Sequence, residues 1–412
     1  MLDWVQQRTL AYFWSFAHPV SGMARERSNA VSGYDYRETV ASGGTGFAIM
    51  ALIAGASRGF LPLAAVRDRV RQITAFLGRA ERFHGVFPHF IHGATGAAIP
   101  FSEKDDGGDL VETAFLVAGL LCARQFFSSA ERQDADLRNA IDHLWHAVEW
   151  DWHTRGKDML YWHWSPRHAW EMNHPIAGWN ECLITYVLAA ASPTHTITPS
   201  VYHSGWTDST AFRNDESYYG IELPLGPAFG GPLFFSHYSF LGLDPRGLRD
   251  RYADYWRQNC AHTRINHAHC LANPNGFAGY GEQCWGLTAC DGDAGYGAFS
   301  PTNDRGVIAP TAALSAMPYM PRESMNVLKS LYMNRNAWGR FGFVDAFNLS
   351  RNWYADCNLA IDQGPIVIMI ENHRSGLLWN LFMSCDETAS ALDRLGFERT
   401  EWESQQGRID SQ

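Results

Sequence analysis

The chain has 412 residues, 46% of them apolar in the broad sense, with 33 Lys and Arg against 43 Asp and Glu for a formal net charge of −10. That length and apolar content bury a large core without disulfides or metal, which excludes intrinsic disorder; only Lys104, Lys157 and Lys329 are lysines and no basic stripe is visible, which excludes nucleic acid and disfavours a polyanionic substrate. A neutral partner fits best, and the 16 Trp, 16 Tyr and 24 Phe offer the surfaces to hold it.

In chain order, apolar residues recur at helical spacing, or fill nearly every position, over 3–17, 43–59, 62–82, 109–130, 133–154, 178–191, 245–262, 308–318, 321–334, 363–374 and 377–395. Strand signals are brief, at 86–91, 159–164 and 341–345. Segments 62–82 and 133–154 have one charged and one apolar face and suit outer helices; 43–59, 109–130, 178–191 and 308–318 are small or apolar on almost every side and must be inner ones. Inner starts fall near 43, 109, 178, 231, 308 and 363, each at or just after glycine. Six hairpins of one inner and one outer helix predict an all-α (α/α)6 double-ring barrel with a few short strands in loops. No Pro, Gly or Ser-rich linker divides the chain, so one domain over 1–412 is expected, with a peripheral tail after about 395. The longest stretches without regular pattern, 192–230 and 263–307, are expected to be functional loops.

No run of about 18 apolar residues exists, so no membrane helix is expected. The opening MLDWVQQRTLAYFW lacks the layout of a secretory signal; the expectation is a cytoplasmic protein, or a periplasmic or secreted one from which a signal has been trimmed. The eight cysteines contain no CxxC and are expected as buried free thiols, with Cys284 and Cys290 the one candidate bridge.

In such a barrel the inner helices point the same way, and polar residues at their starts become neighbours. DDGGDLVE carries Asp105, Asp106, Asp109 and Glu112; AGWNEC carries Glu181; AIDQGP carries Asp362; CDGDAGYG carries Asp291 and Asp293. Any one acid could simply cap a helix and answer its free N–H groups. As a set they suggest more. Glu181 stands in an apolar segment beside Trp179 and Cys182 with no Lys or Arg in the ten residues after it, so its carboxyl should have a raised pKa, as a general acid needs. Opposed carboxyls, one protonated and one ionised, are the equipment of glycoside hydrolysis. Rings in loops (Tyr161, Trp162, Trp164, Trp285, Tyr296, Phe299) could hold the apolar faces of sugars, with at least half of the 16 Trp left to core packing.

Other chemistries fare worse. Asp105 to Asp109 spells DDxxD, the magnesium motif of terpene synthases, but its two glycines suit a loop and no second metal motif on a facing helix accompanies it. His262, His267, His269 and Cys270 lack zinc spacing, as do His89 and His92. Neither serine-hydrolase elbow, phosphate loop nor dinucleotide fingerprint is present. No cofactor or metal is expected.

YWHWSP at 161–166, NHPIAGWNEC at 173–182, GGPLFFSHYSFLGLDP at 230–245, WGLTACDGDAGY at 285–296 and APTAALSAMPY at 309–319 together resemble the glycoamylase-like domain of glycoside hydrolase family 144. The resemblance implies an (α/α)6 barrel that hydrolyses β-1,2-glucan or its oligosaccharides with anomeric inversion, as endo-glucanases or as exo-acting enzymes that release sophorose. Matched position by position, it implies Glu181 as proton donor, Asp362 as base candidate, and Asp105, Asp109 and Glu112 as the acidic cluster around the cleft. In a related glucanase family the acid acts through a substrate hydroxyl. Trp164, Trp179, Trp285, Tyr296, Phe47, His163 and Asp291 are the expected substrate-binding residues. The competing classes are a sugar-binding or transglycosylating domain akin to cyclic β-1,2-glucan synthase, a glycosidase on another β-glucan, and an epimerase, which would oppose two histidines rather than two carboxyls.

Overall fold

The computed structural model describes residues 1–30 and 35–400. It is helix-rich. Twelve α-helices are formed among the described residues: α1 (Leu2–Ser15), α2 (Ser42–Ser57), α3 (Leu63–Leu77), α4 (Leu110–Phe126), α5 (Arg132–His146), α6 (Leu183–Ala191), α7 (Tyr255–Ala272), α8 (Pro310–Ser315), α9 (Pro321–Met333), α10 (Ala360–Ser375), α11 (Leu377–Met383) and α12 (Asp386–Arg394). Helices α2, α4, α6, α8 and α10 are buried along almost their whole length, whereas α3, α5, α9 and α12 bury a single stripe. This is the division the polarity of the segments predicts. Helix α2 packs between α4 and α10, α4 continues to α6 and α10 to α8; α3 lies on α2 and α5, α5 on α4, α9 on α8 and α12 on α6.

The α2–α4 contact is the closest of these approaches, for a local reason. A Cβ on Gly46 would fall 2.1 Å from the carbonyl oxygen of Phe115, and one on Gly119 would fall 2.2 Å from the carbonyl oxygen of Gly46. Two absent side chains let the backbones touch. That contact carries the start of α2 up against Glu112, whose carboxylate accepts the Gly43 N–H at 2.8 Å.

Several elements differ from the sequence expectation. The fourth inner element is not an α-helix but two 3₁₀ turns, Leu233–Ser236 and Ser239–Leu241. The helix expected over 245–262 forms ten residues later, because Asp250 accepts the N–H groups of Tyr252 and Ala253 to fix a turn, and Asp254 then caps α7 through the Arg257 N–H. Asn273, at φ 44°, ends it. The expected loop 263–307 is thereby shortened to 273–307. The other, 192–230, contains a π-helix (Val201–Trp206) and a hairpin whose Tyr219–Gly220 turn has φ 54° and 76° at its two positions. The segment 377–395 splits into α11 and α12.

Short antiparallel strands line the starts of the buried helices. β1 (Thr39–Ala41) pairs with β2 (Phe90–His92), and β2 with β3 (Ala98–Ile99); β4 (Gly108–Asp109) pairs with β5 (His163–Trp164) in the register Asp109 to His163 and Gly108 to Trp164. Residues 398–399 pair with 248–249, so the chain is still stitched to the body there; the rest of the expected tail lies outside the described residues. All eight cysteines are free, Cys284 and Cys290 included. No helix among the described residues is long and apolar enough to cross a membrane.

Candidate active site

A cleft of about 390 Å³ opens where α2, α4, α6 and α10 begin. Glu112, Glu181, His89 and Arg27 bring polar atoms to its wall, and Phe101, Phe115, Trp162, Phe234, Tyr238 and Tyr296 bring rings.

On the α4 side, Asp109 is the N-cap, accepting from the N–H of Val111 and of Glu112 at 3.0 and 2.9 Å. Its second oxygen accepts from His89 Nδ1 at 3.0 Å, and His163 Nδ1 pairs with Asp105 at 3.2 Å. Burial pushes the Asp109 carboxyl up, but the His89 hydrogen bond and the charges of both histidines bring it below the usual range. His89 responds in kind. Burial opposes its charge, yet Glu112, Asp109 and Asp105 together push it up to about 9, so it stands as an imidazolium stacked on Phe101 at 4.3 Å between ring centres. Glu112, which has only the Gly43 N–H and neighbouring charges to hold it, is raised by burial. Asp106 turns away to Ser165 and Arg167.

Glu181 lies not inside a helix, as its apolar neighbours suggest, but in the turn just before α6, where its carbonyl accepts the Ser239 hydroxyl. Burial, reinforced by the negative charges of Glu112 and Asp109, pushes its carboxyl up to about 7. A carboxylic acid in that range holds a proton near neutrality and can give it up.

On the α10 side, Asp362 is buried in the first turn beside Ala360 and Ile361, which line the cleft. Neither of its oxygens meets an N–H donor, and Asp345 lies against it. Burial, then the Asp345 charge, pushes Asp362 well above the ordinary range; burial raises Asp345 to about 7, offset in part by the Asp291 N–H it accepts at 2.8 Å. Two carboxyls in contact without a cation share protons. Arg27 stands nearby but is committed to Glu26 and, through both terminal nitrogens, to Asp291.

Among the described residues, two groups have donor spacing suited to a cation: His89 with Asp105 and Asp109, and Asp291 with Asp345 and Cys357. In the first, imidazoles already answer the carboxylates; in the second, the Cys357 thiol donates to Asp291 at 2.9 Å.

The expected sugar-binding rings divide sharply. Tyr296 lines the cleft and is 55% exposed. Trp285 is fully buried against His267, Trp179 is buried and stacked between Trp206 and Tyr255, and Phe47 is buried against Phe115 and Tyr238, beneath the cleft floor. Trp164 packs on His84 and Phe83 rather than on the cleft. None of these four lines the cleft: Trp285 and Trp179 turn inward from their loops, Phe47 lies within buried α2, and Trp164 is held in β5. His163 and Asp291 act on other site residues, Asp105 and Arg27. Phe101, Glu26 and Arg27 are cleft residues that sequence reasoning does not assign; Trp162, one of the loop rings named from the YWHWSP block, does line the cleft, and Asp345, also unassigned, is buried against Asp362.

The sequence profile of the Glycoamylase family matches residues 173–386, just over half of the chain. The chain belongs to the glycoamylase-like family. A curated exo beta-1,2-glucooligosaccharide sophorohydrolase (non-reducing end) of Parabacteroides distasonis is 44% identical across 96% of the chain. The glycoamylase-like chain spans 57% of that relative's length. The crystal structure of an endo-beta-1,2-glucanase from Chitinophaga pinensis, in complex with sophorotriose and glucose, superposes with a TM-score of 0.93 at 50% identity, covering 96% of this chain and 97% of that one. A beta-1,2-glucanase from Parabacteroides distasonis superposes at 0.92 with 43% identity, covering 96% of this chain and 59% of that one.

Proposed function

We propose that the glycoamylase-like chain is a glycoside hydrolase that cleaves β-1,2-glucan or its oligosaccharides with inversion at the anomeric carbon. The five buried helices and the two 3₁₀ turns at 233–241 form the inner layer of an (α/α)6 barrel, one domain through the described chain, and the cleft sits where that layer's N-termini gather. Glu181 carries the reading: a carboxyl raised to about 7 in the wall of a ring-lined cleft. It donates its proton towards the glycosidic oxygen, directly or through a sugar hydroxyl. The Asp362–Asp345 pair takes up the proton released by the attacking water, from behind Ala360 and Ile361 and with a water or hydroxyl as relay. Asp105, Asp109 and Glu112 hold His89 charged and the α4 wall in place, while Tyr296, Trp162 and Phe101 supply faces for glucose rings.

The test is a product profile from linear β-1,2-glucan, with the anomeric signals followed by NMR in the first minutes. Inversion requires the α-anomer first. Retention would remove the mechanism, and an intact polymer would remove the substrate; a ladder of oligomers or sophorose alone then separates endo from exo action.

A further inference from the structure

Away from the cleft, a second concavity of about 580 Å³ lies on the surface, lined by Glu149, Asp151, Trp152, Arg155, Trp170 and His195. Trp152 is 40% exposed, a large apolar face to leave in water. It is also held still. Its ring stacks on His84 at 3.9 Å with 14° between planes, and Glu149 fixes that imidazole through Nδ1 at 2.9 Å. Trp170 tilts towards it at 6.2 Å, and the Arg155 guanidinium lies over Trp170 and Tyr161 at 5.3 and 4.4 Å. Backbone is spent on the arrangement: His84, Arg155, Ala169 and Asn173 all have φ between 44° and 57°, four of the nine non-glycine residues in the left-handed region among the described residues.

The polar groups of this groove keep capacity. Asp151 Oδ1 takes the Trp152 N–H and His195 Nδ1, and one Arg155 nitrogen goes to Asn173, while the indole N–H groups of Trp152 and Trp170 have no partner among the described residues. Two carboxylates against one guanidinium repel an anion, and a rigid ring edged with both donors and acceptors suits neutral polyols. The groove is linked to the cleft by contact. His84 meets Trp164, and Trp164 is the neighbour of His163 in the β5 strand that pairs with Asp109.

We infer that the Trp152–Trp170 groove is a second, non-catalytic binding site for a neutral glucan chain, with one glucose ring on Trp152 and its hydroxyls on Asp151, Arg155 and the indole edges. The identity of the glucan rests on the function proposed for the cleft. A chain held at both places is captured at high effective concentration, so the groove matters for polymer and not for fragments too short to span the two.

The experiment compares wild type with Trp152→Ala, and with Trp152→Phe as the variant that keeps a ring, on linear β-1,2-glucan and on a three-unit oligosaccharide. Trp152→Ala is expected to raise KM for polymer roughly three- to tenfold and leave the short substrate unchanged, with Trp152→Phe in between. Equal loss on both substrates, or none on either, overturns the inference. Native gels cast with β-1,2-glucan and other neutral glucans read binding without cleavage: wild type should be retarded and Trp152→Ala less so, and equal or absent retardation also overturns it. If wild type cleaves no β-1,2-glucan yet shows Trp152-dependent retardation, the proposal for the cleft fails and the groove stands.

Discussion

The segment that leads into α4 and the first turn of α10 both bury acids behind the cleft wall, and Asp109 and Asp362 are held in opposite chemical states. Beside α4, each of Asp105 and Asp109 has an imidazole, and Asp109 also accepts two backbone N–H groups as a helix cap. Beside α10, Asp362 and Asp345 have chiefly each other. Burial is as deep on both sides, so burial is not what separates them; the counter-charge is. One side fixes the ionised Asp109 against His89, and the other is a reservoir that can take or release a proton. Glu181 stands between, raised by burial and by the negative charges of Glu112 and Asp109.

The largest expected effects probe that division directly. Glu181→Gln should lower kcat by about 10²–10⁴-fold on β-1,2-glucan, and Asp362→Asn by a comparable factor, with fold and melting temperature little changed. Should Asp105→Asn or Glu112→Gln cost as much as Asp362→Asn, the contrast breaks and the base belongs to the α4 side. Next comes pH. As the proposed proton donor, Glu181 has to be protonated before substrate binds, and its carboxyl is raised to about 7, so kcat/KM should fall as pH rises through about 7. A profile flat to pH 9 would place the donor elsewhere.

A smaller effect falls on stability. His89 is raised in the folded state, so it contributes stability in full below its unfolded value near 6.5, and that contribution is lost as pH rises towards about 9. Asn caps a helix as well as Asp does, so Asp109→Asn keeps the cap and removes the charge. It should cost about 2 kcal/mol at pH 6 and much less at pH 9.5, read as denaturant midpoints at the two values. The smallest change is expected from Tyr296→Ala: melting temperature constant, because the ring is exposed, and KM raised roughly threefold.

How much of this is legible in the sequence follows from range. The cap at Asp109 and the lack of a nearby cation at Glu181 are local facts, readable from residues within one or two turns. The inner and outer helices are legible because a stripe of charge either interrupts a segment or does not. The imidazole partners are not legible: His89 arrives just before β2, 20 residues before Asp109, and His163 on a strand well after it. Asp345 reaches Asp362 from another segment of chain, so no spacing announces the pair. Trp285 and Trp179 mislead because composition marks a loop but does not say which side chains turn inward. The displaced α7 was within reach, since Asp254 and Asn273 are ordinary start and stop signals that the apolar periodicity of 245–262 outweighs.

The meeting of Gly46 and Gly119 has a further bearing. Since the Gly43 N–H reaches Glu112 only because two backbones touch further down, the spacing of groups at the mouth of the cleft is gauged by an interface at its floor. One added methyl at Gly46 would act as a wedge, and the lever it drives ends on an acid three residues along α4 from the point of contact. Tolerances in the chemistry of this protein are therefore set partly where no substrate ever arrives, by the thickness of two hydrogen atoms.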